Sequence, residues 1–118
     1  MGDLSEHFSR AEFACRCGCG FDVVDAGLLA VLDRVREHFG VPVTINSAAR
    51  CGDHNLRVGG GSRSQHLLGK AADIVVHGYG PGDVVDILYT LYPDRLGIGR
   101  YDSFVHVDSR SKPARWFN

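Results

Sequence analysis

What this chain lacks narrows what it can do. No stretch approaches the ~20 consecutive apolar residues of a membrane-spanning helix. Thirteen basic against fourteen acidic side chains leave a formal charge of −1, so no net field draws the protein to nucleic acid or to an anionic membrane. Neither is expected as a partner. The opening MGDLSEHFSR has neither the basic start nor the apolar centre of a secretory signal, so work at a cell wall would need another route out of the cytoplasm. Internal repeats, low-complexity tracts and charge blocks are missing as well. At 118 residues the chain is the size of one compact domain, and residues 1–118 are read as a single unit.

Cysteine is sparse but clustered, at Cys15, Cys17, Cys19 and Cys51. Four are few for a disulfide-stapled scaffold, yet enough for a metal cluster or one bridge. Paired zinc-binding cysteines usually have two to four residues between them, whereas CRCGC leaves one. Reduced thiols or a disulfide through Cys51 are therefore read ahead of a second, cysteine-bound zinc.

Two segments have clear helical periodicity. From Asp25 to Phe39, Leu28, Leu32, Val35 and Phe39 recur at helical spacing, with Asp25 placed to cap the start and Gly40 the end. Pro81 to Tyr92 repeats the pattern through Val84, Val85, Leu88 and Leu91. Ser9 and Glu12 have capping-box spacing and predict a short helix there. VPVTINS, ADIVV, LGIGRY and FVHVDS read as strands, and the glycine-dense segment 52–69 as mostly loop. A loop of that length is usually functional. Two helices against a small antiparallel sheet make an α+β domain.

His66 and Asp73 are candidate metal ligands. On one straight helix they would stand ~10.5 Å apart along the axis, too far to share an ion. Gly69 and the β-branched run after Asp73 instead favour a turn followed by a strand. In FVHVD the alternation puts Phe104, His106 and Asp108 on one face, with Val105 and Val107 on the other. If the two strands pair, side chains on the shared face stand ~5 Å apart, and His66, Asp73 and His106 can bind one ion. Two imidazoles and a carboxylate, with the fourth position left to water, are the ligand type of a catalytic zinc.

SQHLLGKAAD followed by FVHVD resembles the S-x-H-x-x-G-x-A-x-D and H-x-D signatures of the M15 peptidases, zinc D-Ala-D-Ala carboxypeptidases and related peptidoglycan endopeptidases. INSAARCGDHNLRVGGGSRSQH and RSKPARW extend the likeness, which runs from Phe8 to Trp116. It implies the small α+β zinc-peptidase fold shared with the hedgehog signalling domain, and one catalytic zinc on His66, Asp73 and His106. It also implies that Arg50 holds a substrate carboxylate or carbonyl and that Ser64 contacts the substrate. Both suit their chemistry, a guanidinium fork matching a carboxylate and a hydroxyl a peptide group. The implied reaction is hydrolysis of peptide bonds in peptidoglycan stem peptides, as a carboxypeptidase or endolysin-type endopeptidase, with zinc activating a water and a base taking its proton.

The sequence departs from the family in one place. Several members have a glutamate three residues before the last ligand, or a histidine two before it, where this chain has Ser103 and Phe104. Asp102 is the expected base in their stead, and Asp108 is expected to orient an imidazole from behind. A hedgehog-like binding module with a pseudo-active site is the alternative. A monomeric phage or bacterial lysin-type domain acting at the cell wall fits the missing signal. GGGSRS lacks the G-K-[ST] ending of a phosphate loop; its glycines are read as allowing close approach to a substrate backbone. His7, His38 and His77 are assigned no catalytic role, and His54 is read as bracing its loop. Trp116 and Phe117 are read as packing the C-terminal segment onto the core, with a place in a substrate groove as the alternative.

Overall fold

The computed structural model describes residues 2–118. Helix α1 spans Ala26–Phe39. The Asp25 carboxylate accepts the Leu28 N–H at 3.0 Å, and Gly40 ends the helix in the left-handed region at φ 67°, so both expected caps are in place. Strand β1 (Val43–Ser47) follows, then helix α2 (Gly52–Arg57), strand β2 (Ala71–Val76) and helix α3 (Pro81–Leu91). Strands β3 (Gly97–Arg100), β4 (Val105–Asp108) and β5 (Ala114–Phe117) complete the chain. The fold is α+β, with three helices and a five-stranded sheet.

The strand order is β1-β2-β4-β3-β5. All pairs are antiparallel except β3 with β5, which run parallel. The expectation of a wholly antiparallel sheet is corrected there. β3 and β4 form a hairpin, and the chain then returns to the free side of β3, where β5 adds in the same direction as its neighbour.

Alternation along the strands divides the sheet into two chemically different faces. Ala72, Ile74 and Val76 of β2 and Val105 and Val107 of β4 join the core with Leu28, Leu32, Val84 and Leu88 of α1 and α3. Asp73 and His106 therefore stand on the opposite face. That face is crossed by the segment between β1 and β2, which is more ordered than expected of a loop. It contains α2 and a 3-10 turn at Gln65–Leu68. The apolar pattern gave no sign of α2 because its one leucine, Leu56, is 80% exposed and its buried residue is polar, Asn55. The Ser9/Glu12 helix is also a single 3-10 turn, Arg10–Phe13, with the Glu12 carboxylate accepting the Ser9 N–H at 2.7 Å.

Gly69 sets the reversal from the 3-10 turn into β2. Its φ is 67°, and a Cβ there would lie 2.3 Å from the Val23 carbonyl oxygen. Its own carbonyl accepts the Asp25 N–H at 2.9 Å, which ties the turn to the start of α1. Backbone strain and a clash with main chain together predict that Gly69→Ala costs at least ~1 kcal/mol of stability, read as a lower urea midpoint. An unchanged midpoint would mean that the turn relaxes freely.

Candidate metal centre

The register of β2 on β4 makes Asp73 and His106 direct cross-strand partners. His66 reaches the same point from the 3-10 turn that Gly69 closes. Its main chain is held on both sides: the Ser64 hydroxyl oxygen accepts the His66 N–H at 3.2 Å, and the His66 carbonyl accepts the Arg50 N–H at 3.0 Å. Oδ1 of Asp73 lies 3.3 Å from Nε2 of His66 and 3.1 Å from Nδ1 of His106. Bonds of 2.0–2.1 Å to a tetrahedral zinc put neighbouring ligand atoms about 3.3 Å apart. The spacing fits a metal ion.

The hydrogen bonds behind the two imidazoles fix which nitrogens face Asp73. Nδ1 of His66 lies 2.7 Å from the Ala48 carbonyl oxygen, which can only accept, so that nitrogen carries the hydrogen. Nε2 of His106 lies 2.8 Å from the Asp108 carboxylate and carries its hydrogen for the same reason. In the neutral rings, Nε2 of His66 and Nδ1 of His106 then present lone pairs to a carboxylate oxygen. Three converging acceptors need a positive charge among them, supplied by protons or by a metal ion.

Asp108 is fully buried and is satisfied from three directions. Arg110 donates to both its oxygens at 2.7 and 2.8 Å, the Gly97 N–H donates at 3.1 Å, and His106 supplies the third contact. Burial alone would raise the Asp108 carboxyl, but hydrogen bonds from His106 and Arg110 and their charges outweigh it and hold it well below the usual carboxylate range. Burial opposes ionisation of Asp73 too, and is outweighed by His106 and His66, so this carboxyl also lies well below its ordinary value. His106 moves the other way: burial lowers it, while the carboxylates of Asp108 and Asp73 raise it further than burial takes it down. Asp108, expected to orient an imidazole, is in contact with His106.

The centre opens into a cleft of about 550 Å³. Arg50, Arg63 and Arg110 line it, and Asp73 is its one acid among the described lining residues. Arg50 sits 3.3 Å from the outer oxygen of Asp73, with further contacts to Ser47 at 3.3 Å and Asn55 at 3.4 Å. One wall is aromatic: Tyr101 stacks on Phe104 with centroids 4.4 Å apart, and Trp116 donates to the Tyr101 hydroxyl at 3.1 Å and lies 5.1 Å from the His106 ring.

A family model described as Peptidase M15 matches residues 6–108. The chain belongs to the peptidase M15 family. A search of curated proteins finds no match.

In this M15 peptidase the structure gathers His66, Asp73, His106, Arg50 and Ser64 around one cleft, with Asp108 behind it. Asp102 is not among them. It is exposed in the turn before β4 and lines a separate depression with Pro81, Arg100 and Phe117, so the structure does not bring the expected base to the cleft. Trp116 faces the cleft and Phe117 is 76% exposed, so the pair does not simply pack the C-terminal segment onto the core. The tight approach in the glycine run is internal: a Cβ on Gly60 would meet the Asn55 side chain at 2.0 Å. Arg63, Arg110, Tyr101 and Asn55 were not singled out from the sequence. Only Tyr101 had a local signal, beside Phe104 at the mouth of the FVHVD strand.

The directions of these shifts predict how stability depends on pH once metal is stripped. Asp73 and Asp108 contribute stability above about pH 4 and lose it as acid protonates them. His106 contributes below about pH 6.5 and loses its share as pH rises through its raised folded value. Chelator-treated protein should therefore lose part of its urea midpoint as pH rises above about 6.5, and His106→Gln should flatten that slope relative to wild type. Identical slopes in the two proteins would show that His106 holds no extra proton in the folded state.

Proposed function

We propose that the chain is a zinc-dependent metallopeptidase that hydrolyses peptide bonds in peptidoglycan stem peptides, with His66, Asp73 and His106 as the zinc ligands. The observation that carries this reading is the convergence of two imidazole lone pairs and a carboxylate oxygen in a cleft lined by three arginines. Both rings have their other N–H committed to an acceptor, the arrangement that fixes the tautomer of a ligating histidine. When bound, zinc supplies Lewis acidity to a carbonyl and lowers the pKa of a water toward 7.

The chain's own residues do the rest. Arg50 steadies the outer oxygen of Asp73 and turns its remaining N–H groups to a substrate carboxylate. Ser64 already accepts from the His66 N–H, which leaves its hydroxyl hydrogen to donate to a peptide carbonyl. Arg63, exposed at the cleft, adds positive charge that suits the free carboxylates of stem peptides. Tyr101, Phe104 and Trp116 form a flat wall for the peptide and limit water on that side. We place the enzyme at the cell wall as a monomeric lysin-type domain of phage or bacterial origin.

One observation favours a second reading, a zinc-containing cell-wall binding module. Among the described residues lining the cleft, no carboxylate side chain besides Asp73 is at hand to take a proton.

Digestion of purified peptidoglycan, followed by mass spectrometry of the released fragments, separates the two. A defined new peptide terminus, abolished in Asp73→Ala together with the cleft's zinc, is the expected result. Binding to the wall without cleavage of any stem peptide would instead establish the binding module. Asp108→Asn should keep the shape of the site but loosen the hold on His106, lowering zinc affinity roughly 10–100-fold in competition with a chelating dye. An unchanged affinity would remove Asp108 from the metal's support.

A further inference from the structure

A second group of metal-binding side chains lies outside the cleft. Cys15, Cys17 and Cys19 follow the first 3-10 turn, and Cys51 begins α2. The fold brings all four together, with one sulfur from each within 4.8 Å of the others. Sγ of Cys15 is 3.4 Å from that of Cys17 and 3.8 Å from that of Cys51, and Cys17 is 3.6 Å from Cys51. We infer that Cys15, Cys17, Cys19 and Cys51 hold a structural zinc ion as a tetrathiolate, independent of the His66–Asp73–His106 centre.

The spacing is that of a coordination shell. Zinc–sulfur bonds of about 2.3 Å put the sulfurs of a tetrahedral site about 3.8 Å apart, close to the three distances found. A disulfide would bring one pair to about 2.05 Å and leave the other sulfurs aside. Here three sulfurs are nearly equidistant and the fourth is adjacent.

The backbone explains how one-residue spacers suffice. Gly18 and Gly20 adopt φ 82° and 92°, conformations open to glycine at little cost, and the Cys15 N–H bonds the Phe21 carbonyl at 2.7 Å to close the loop. The loop is then fastened to its surroundings. Arg16 donates to the carbonyls of Glu12, Ala14 and Ile45 at 2.7 to 2.8 Å, and the Ala49 N–H bonds the Phe13 carbonyl at 3.0 Å. Two sulfurs also accept backbone hydrogen bonds: Cys15 from the Cys51 N–H and Cys51 from the His54 N–H, each at 3.4 Å. The bond to Cys15 favours its thiolate, the form that binds metal. On binding, each thiol gives up its proton to solvent and its sulfur donates an electron pair to the cation. A closed four-sulfur shell leaves no position for a substrate, so the ion cross-links the N-terminal loop to the segment that carries Arg50.

Full-length Asp73→Ala, in which the cleft can no longer hold a metal, tests the proposal whether or not the cleft binds zinc. Purified under reducing conditions, it should carry about one zinc per chain. Replacement by cobalt should give sulfur-to-metal charge-transfer bands in the near ultraviolet, which imidazole and carboxylate ligands do not produce. Cys17 and Cys19 are exposed, so Cys19→Ser should fold, as checked by circular dichroism, and lose at least about 10-fold in zinc affinity. Absence of zinc and of thiolate bands in Asp73→Ala would overturn the proposal. So would an intramolecular disulfide in the zinc-loaded protein. Should Cys19→Ser fail to fold, the cobalt spectrum of Asp73→Ala is already decisive.

Discussion

Asp73 and His106 face each other across the β2–β4 ladder in one register only, because a slip of one residue would turn each to the other face of the sheet. The apolar neighbours enforce that register. Ala72, Ile74, Val105 and Val107 are all buried on the helical side, and a slip would expose them while driving a carboxylate and an imidazole into the core. Hydrophobic burial, which is indifferent to any metal, thus sets the geometry of two of the three side chains of the candidate site. The third depends on a turn: His66 arrives because Gly69 can take a left-handed conformation against the Val23 carbonyl.

Around the candidate site, several neighbouring side chains occupy space left by a glycine. A Cβ on Gly97 would stand 2.3 Å from the Asp108 carboxylate, and one on Gly99 would stand 2.2 Å from Nε1 of Trp116. Gly60 does the same for Asn55, which in turn touches Arg50. The bare stretches of β3 and of the loop are the seats of a carboxylate, an indole and an amide. Asp108 gains most from this, since the close approach of β3 provides the Gly97 N–H as one of its donors.

Much of this was legible in the sequence. α1 and α3 showed their 3.6-residue stripes and caps, and the alternation in FVHVD placed His106 and Asp108 on one face, where the two side chains are hydrogen-bonded. The M15 likeness singled out Arg50 and Ser64, which line the cleft. What escaped was set by long-range packing. α2 has no apolar stripe to announce it. β5 is a short edge strand whose parallel partner is fixed only once the β3–β4 hairpin exists. Asp102 was chosen for nearness in sequence to His106, yet in the turn ahead of β4 it is Tyr101 and Phe104 that line the cleft, while Asp102 lines a separate depression. Spacing within CRCGC describes three of the cysteines only, and the fourth is brought to them by the fold.

The three side chains of the candidate site are separated along the chain by 7 and 33 residues, and no single local element joins them. A growing polypeptide has no such centre until residue 106 has emerged and β4 has inserted between β2 and β3. Non-local pairings of this kind form late, after the entropy of closing the intervening segments has been met. Assembly is therefore ordered in time: helices α1 and α3 need only hydrogen bonds local in sequence, while the candidate metal site comes into being only with the nearly finished sheet.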